Sequence, residues 1–519
     1  MLPPFATLLL NEVRVRTRRL SSLVTLLVVI AISWTIVVDP ATGRSMLTLG
    51  KHAVAYNSSA MAVGSSALAS ILLGLGGFYL VRGRTKEDLM YGVANVLAAS
   101  PISNAQLLFI RWLGAMAYLC AIVLALMLTM MVYQVVRGVG PVEPLIYLQT
   151  YALQLLPTLA LAASIAVVCD SAAPLMGKFG DVLYFVCWMG QFGTFPQQLA
   201  KENVSMGLAS SLDMSGMATI ILRFRELFGT DSISIGGTRF DASLSTLVIQ
   251  DFWTAEMAGY RIVATLLATL PLLVAVVLFH RYSPDKVKPV AANAKSGLWN
   301  WLNRMVRPVV RVVGPLYGIA PRLPRVVGQM VADAALTLSA NPLLLLSLLI
   351  AFGAGVLFPN TALPGVLIAT VACWGIMVSD LSARDHQSAT SALTGVVVGG
   401  VTARYLRQLS VALLLGLVAS APVLLRWSVS SPTQAMALVS GFAVLSAATV
   451  LLGRLTRTGR TFLGCFLLGW YLATQVTVVR WFDVVGFNGI ADSQTITIYG
   501  LTAVAISVAG WFWTRRTNT

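Results

Sequence analysis

The stretch LLFIRWLGAMAYLCAIVLALMLTMMVY, residues 107–133, holds one charged side chain, Arg111. It exceeds the roughly 20 residues a helix needs to cross about 30 Å of hydrocarbon. Its reading sets that of the whole chain, because apolar runs of similar character recur from end to end. They fall near 22–38, 60–81, 107–133, 146–169, 182–196 and 259–280, and again near 343–358, 363–380, 408–426, 434–453, 462–479 and 498–514. The fifth is the weakest, being short and ending in Gln191, Phe192 and Pro196. Composition agrees: the 519 residues are 57% hydrophobic and 11% charged with a mean hydropathy of +0.80. A globular chain carries about 25% charged residues. The expected fold class is all-α, a polytopic membrane protein of about 12 transmembrane helices, six in each half.

The net charge is +16, and the basic residues are spread unevenly between alternate loops. Arg14 to Arg19, Arg82 to Lys86, Lys178, the run from Arg281 to Arg325, Arg384, Arg404, Arg407, Arg454 to Arg460, Arg515 and Arg516 all fall on the side of the N-terminus. Cytoplasmic loops retain Lys and Arg during insertion, so both termini are expected in the cytoplasm, with the chain multi-pass in a bacterial-type cytoplasmic (inner) membrane. Positive-inside bias accounts for the basic balance without nucleic acid, for which no base-stacking or groove-reading element is visible. No small-residue cleavage site follows the first apolar run, so no cleavable signal peptide is expected. Cys120, Cys169, Cys187, Cys373 and Cys465 lie in or beside apolar runs without paired spacing, and His52, His280 and His386 are scattered. No metal site is expected. Neither a GxxxxGK[ST] phosphate loop nor a GxSxG elbow occurs, so the chain is expected to bind no nucleotide itself and not to be an enzyme.

A weak internal duplication organises the rest. Two amphipathic stretches, FATLLLNEVRVRTRRLSSLVTLLVVI from Phe5 and VGQMVADAALTLSANPLLLLSLLI from Val327, lead straight into apolar runs. Each carries an early acid, Glu12 or Asp333. Segments of like length and character follow the second run of each half, from Arg82 and from Ser379, and short polar turns follow the fourth, from Cys169 and from Gly453. The expected units are therefore 1–280, with an outer insertion at 197–258; a basic cytoplasmic linker, 281–326; and 327–519. In the linker, LWNWLNRMVRPVVRVV sets Arg304, Arg307 and Arg311 on one helical face and Leu298, Leu302, Met305 and Val309 on another. That pattern reads as a helix on a lipid surface, although Pro308 should bend it. In the insertion, SGMATIILRFRELFGTD reads as an amphipathic helix with Met217, Ile220, Ile221, Phe224 and Leu227 on its apolar side, available to an outer-face partner. Arg111, Asp380 and Arg261 lie close to the ends of apolar runs, and snorkelling to the interface accounts for each.

The segment TKEDLMYGVANVLAASPISNAQLLFIRWLGAM, from Thr85, with the basic amphipathic N-terminal helix and the long outer loop of the first half, resembles the permease of a type V ATP-binding-cassette exporter. In that family an acidic residue and an L-x-x-SPIS turn lie between the second and third spans, and Glu87 and Ser100, Pro101, Ile102 and Ser103 match those positions. The resemblance implies a coupling helix that docks on a separate ATPase subunit, with ATP and Mg held by two copies of that subunit and two six-span halves fused around a pseudo-twofold axis. Glu87, Asp88, Ser100, Pro101 and Ser103 are the candidate coupling contacts of the first half, with Glu87 and Asp88 as anchors for a partner's basic groups. Arg384, Asp385 and His386 are those of the second, where Gly399, Gly400, Val401 and Thr402 replace SPIS. The cargo class is hydrophobic or amphiphilic. Two rivals are an ion-coupled secondary transporter, for which the GxxxDRxGRR loop is missing, and a membrane-embedded transferase acting on lipid-linked substrates, for which Asp39, Asp231, Asp241 and Asp251 form no constellation.

Overall fold

In the computed structural model the described residues are 4–18, 37–201, 207–230, 232–280, 305–388, 390, 400–475 and 480–516. The apolar run expected at 22–38 falls almost entirely outside them, as do Arg304 and Gly399. The chain forms two compact units, Met1–Ala291 and Ala292–Thr519.

In the first unit the helices are α1 (Pro4–Thr17), α2 (Ser58–Val81), α3 (Arg84–Met90), α4 (Val93–Ala99), α5 (Asn104–Arg137), α6 (Pro144–Ser171), α7 (Lys178–Lys201), α8 (Met217–Phe228), α9 (Ala255–Thr269) and α10 (Pro271–Leu278). Local chemistry sets their starts. Asn57 accepts from the Ala60 N–H at 3.0 Å to begin α2, and Ser103 and Gln106 exchange side-chain-to-backbone bonds of 3.2 Å to begin α5. The central element is α2, buried along most of its length and packed on α6. Its serines fit an apolar bundle because Ser65, Ser66 and Ser70 return their hydroxyls to carbonyls one turn back.

At the end of the bundle where α2 begins, three strands form a sheet in the order β2-β1-β3, with β1 (Arg44–Leu49) between β2 (His52–Ala53) and β3 (Ile233–Arg239). Both pairings are antiparallel. The all-helical expectation did not include this sheet. Leu47, Leu49, Ile220, Phe224, Ile249 and Phe252 bury together beneath it, so residues of the 197–258 insertion pack onto the end of α2 as a cap. The apolar face of α8 centres on Ile220 and Phe224, while Leu227, expected on that face, is exposed.

The second unit contains α11 (Gly314–Ile319), α12 (Arg325–Ser339), α13 (Pro342–Leu357), α14 (Leu363–Val378), α15 (Arg384–Gln387), α16 (Gly400–Ala419), α17 (Ala421–Ser430), α18 (Pro432–Thr456), α19 (Arg460–Gln475) and α20 (Ser493–Arg516). Helices α12 and α13 meet at a bend of 102°, at the break before Pro342, whose ring cannot continue the preceding helix.

Every apolar run expected from sequence, the first excepted, coincides with helix. Among the described residues, eight helices are long and apolar enough to cross a membrane, or nine if the bent pair counts as one. The chain is thus a helical, multi-pass membrane protein by length and composition, and the described residues do not reach the expected twelve. Helix α7 falls short because Lys178, Asp181 and Gln191 dilute its apolar character, and the described part of α19 is 16 residues long.

Both units seat an aromatic ring of one helix in a glycine notch of an earlier one. A Cβ on Gly74 of α2 would lie 1.9 Å from the Trp188 ring of α7, and a Cβ on Gly375 of α14 would lie 2.2 Å from the Phe466 ring of α19. Gly74→Ala is expected to cost about 1–3 kcal/mol by overpacking and to lower the thermal midpoint of the detergent-solubilised chain. Gly76→Ala, where a Cβ meets nothing within 4 Å, should leave that midpoint unchanged or raise it.

Candidate functional site

Helix α3 and its flanks, the segment singled out from sequence, sit at the other end of the first unit, held by buried ion pairs. Arg84 donates from Nε to both carboxylate oxygens of Glu12 on α1, at 2.9 and 3.2 Å. Its Nη1 lies 3.3 Å from Asp88. Arg111, about two turns inside α5, donates to Asp88 at 2.5 Å and to the Thr85 hydroxyl at 2.8 Å. The Asp170 carboxylate of α6 accepts both the Gly83 and Arg84 backbone N–H groups at 2.8 Å, a carboxylate where the α3 dipole favours one. Gly83 turns the chain there with φ +99°, a conformation glycine adopts without strain. Arg82 pairs with Asp181 at the start of α7, and Arg16 donates to the Val81 carbonyl at 2.9 Å. Four guanidiniums, Arg16, Arg82, Arg84 and Arg111, thus face four carboxylates, Glu12, Asp88, Asp170 and Asp181.

Burying a lone charge is costly and breaking a buried pair strongly destabilising, so the charge balance is what permits this cluster. Arginine suits the task because its planar fork serves several acceptors at once. Two expectations change here. Arg111 does not snorkel: it is 3% exposed and bonded inward. Asp88 is 1% exposed and already held by Arg111 and Arg84, so it fixes α3 rather than standing as an outward anchor. Arg261, at the opposite end, is also buried and donates to the carbonyls of Leu153 and Gln154, each at 3.0 Å. Beside the network lies a cleft lined by Arg16, Arg84, Arg111 and Asp170, too tight for a cargo.

The other sequence candidates face outward. Glu87 is half-buried, Pro101 and Ser103 are exposed, and Ser100 donates to the Leu97 carbonyl at 2.7 Å. With them, Leu89, Met90, Tyr91, Val93 and Val96 present an apolar surface on α3 and α4, Tyr91 being 66% and Val96 72% exposed. Sequence reading passed over this surface because the five residues match no single helical face: Gly92, with φ +74°, breaks the segment into two helices.

The second unit repeats the pairing logic with fewer members. Arg407 of α16 donates to Asp333 of α12 at 2.6 Å and to Gln329 at 2.8 Å. Arg404 donates to Asp385 at 3.0 Å, and Arg384 lies 3.7 Å from Asp380. Of the three candidates there, Arg384 and Asp385 are therefore already paired within the unit. Burial, and then the Arg457 charge, lower the His386 pKa from its ordinary value. Gly400, Val401 and Thr402 begin α16.

Comparison with known protein families, with curated proteins and with solved structures finds no match.

Asp88→Asn removes the charge facing Arg111 inside the bundle. It is expected to destabilise the first unit by about 3–5 kcal/mol, read as a drop in thermal midpoint in detergent. Glu87→Gln, at a half-buried carboxylate 3.5 Å from Arg84, should cost about 1 kcal/mol or less, a smaller drop in midpoint than that of Asp88→Asn.

Proposed function

We propose that the chain is the transmembrane permease of an ATP-binding-cassette exporter, moving a hydrophobic or amphiphilic substrate across a cytoplasmic membrane. The observation that carries this reading is the apolar surface of α3 and α4 mounted on the buried ion cluster. Five large apolar side chains stand exposed together at the charged end of the first unit, and an exposed patch of that kind marks an interaction surface. The ion pairs of Arg84 and Arg111 fasten that site to α1 and α5. A displacement of α3 by a partner therefore bears on both helices. The energy comes from two cytoplasmic ATPase subunits whose nucleotide-bound form binds one conformation of the permease better than the other. ATP and Mg belong to those subunits. In this reading Glu87, Ser100, Pro101 and Ser103 border the first contact, Asp88 positions it, and Arg384, Asp385 and His386 border the second.

The same reading makes the chain a fused pair of six-span halves, twelve spans in all, with both termini cytoplasmic. Four correspondences support it. The acid of the lead-in helix is held by an arginine in each unit, Glu12 by Arg84 at the start of α3 and Asp333 by Arg407 within α16. An aspartate after the second long helix is held by an arginine of the next, Asp88 by Arg111 and Asp385 by Arg404. Glycine notches accept Trp188 and Phe466. Beyond α7 and α19 stand two D-x-x-G turns, Asp213 to Gly216 and Asp483 to Gly486, each closed by a glycine N–H bond of 3.3 Å to the aspartate carbonyl. Their glycines have φ of +73° and +78°.

Affinity purification of the full chain from its native membrane is expected to bring down an ATP-hydrolysing subunit. Tyr91→Ala with Val96→Asp should reduce that recovery at least tenfold while leaving the thermal midpoint within a few degrees. Absence of any ATPase from the wild-type preparation overturns the exporter reading.

A further inference from the structure

The described part of the linker folds back on the second unit and does not run free. Residues 307–313 form a 3-10 segment, α11 follows, and the chain then reverses before α12. A Cβ on Gly328 would lie 2.3 Å from the Ala320 carbonyl oxygen, so the two limbs touch at backbone distance. Val309, Val313 and Leu316 on one limb pack with Ala335 and Leu338 on the other and with Leu345 of α13, and the Tyr317 hydroxyl meets the Ser339 hydroxyl at 2.9 Å. The result is a helical hairpin, 305–339, set nearly perpendicular to α13 by the 102° bend.

The surface of this hairpin has two parts. Met305, Val312, Tyr317, Ile319 and Val326 are between 41% and 66% exposed. Among them stand Arg307, Arg311, Arg322 and Arg325, all exposed, with no carboxylate partner among the described residues and no acid in the sequence from 305 to 332. This contrasts with the arginines of the ion clusters, which are paired with carboxylates. An apolar strip carrying exposed arginines, at the end of a strongly apolar helix of 16 residues, is the pattern of an interfacial element.

We propose that the 305–339 hairpin is a docking surface for anionic phospholipid in the leaflet on the basic side of the membrane, the four arginines taking headgroup phosphates while the apolar side chains enter the acyl boundary. Arg322 and Arg325 extend the surface beyond the residues legible in sequence, and Pro308, which seemed to break a surface helix, opens the 3-10 limb instead. The inference does not depend on an ATPase partner. Each arginine near an anionic surface is worth about a fivefold change in lipid affinity.

The test uses the full-length chain, without any ATPase, in nanodiscs of phosphatidylcholine alone or mixed with phosphatidylglycerol, read by hydrogen–deuterium exchange. Phosphatidylglycerol is expected to slow amide exchange across 305–339 at least about fivefold. The combined variant Arg307→Gln, Arg311→Gln, Arg322→Gln and Arg325→Gln should lose most of that protection, and the matching lysine variant should retain it. Equal exchange of the wild-type chain in the two lipids overturns the proposal, and that measurement stands even if the glutamine variant fails to fold. Protection that appears only on adding a soluble acidic protein to phosphatidylcholine discs also overturns it, in favour of a protein partner.

Discussion

A guanidinium drawn into an apolar bundle must find a carboxylate, and the basic ends of both units are organised around that requirement. In the first unit, Arg82, Arg84 and Arg111 reach inward and collect Asp181, Glu12 and Asp88 from three different helices. The positions of α1, α3, α5 and α7 at that end follow from the pairing. Apolar packing in a membrane lacks the hydrophobic driving force it has in water. Charge pairing is not tolerant of displacement, because a displaced partner leaves a buried ion.

The same constraint explains why the exposed surface of α3 and α4 is more than a loose loop. Seven-residue helices have little stability of their own, and α3 and α4 are each that short. Asp170 at the start of α3 and Asp88 within it supply what helix propensity does not. Leu89, Met90 and Tyr91 can then remain outside without the segment collapsing to cover them. The ion pairs tie this segment to α1 and α5. The second unit holds its own pairs, through Arg404 and Arg407.

How much of this could be read in the sequence depends on how local each cause is. Helix α5 was legible because its apolar run and its Ser103–Gln106 box are contiguous. The Glu12–Arg84 pair was not, since its members stand 72 positions apart and nothing in either segment names the other. Asp88 was read as outward because it neighbours Glu87 in an acidic loop. Which side of a short helix faces the bundle is decided by Arg111, a residue of the next helix. The sheet was missed for a similar reason: β1 pairs with β3 across more than half of the unit's length, and neither strand is apolar enough to announce itself among far stronger helical signals.

By itself, then, the sequence determined the class of solvent this chain is made for, the apolar helices long enough to cross it, and the turn residues that open α5. These rest on hydrophobicity and on capping, which act within a few residues. The tertiary structure alone decided which carboxylate neutralises which arginine, that the 197–258 insertion packs as a cap through Ile220 and Phe224, and that the linker doubles back with four exposed arginines that meet no carboxylate among the described residues. Those outcomes depend on distances between segments far apart in the chain, and electrostatic pairing and strand pairing are set by such distances.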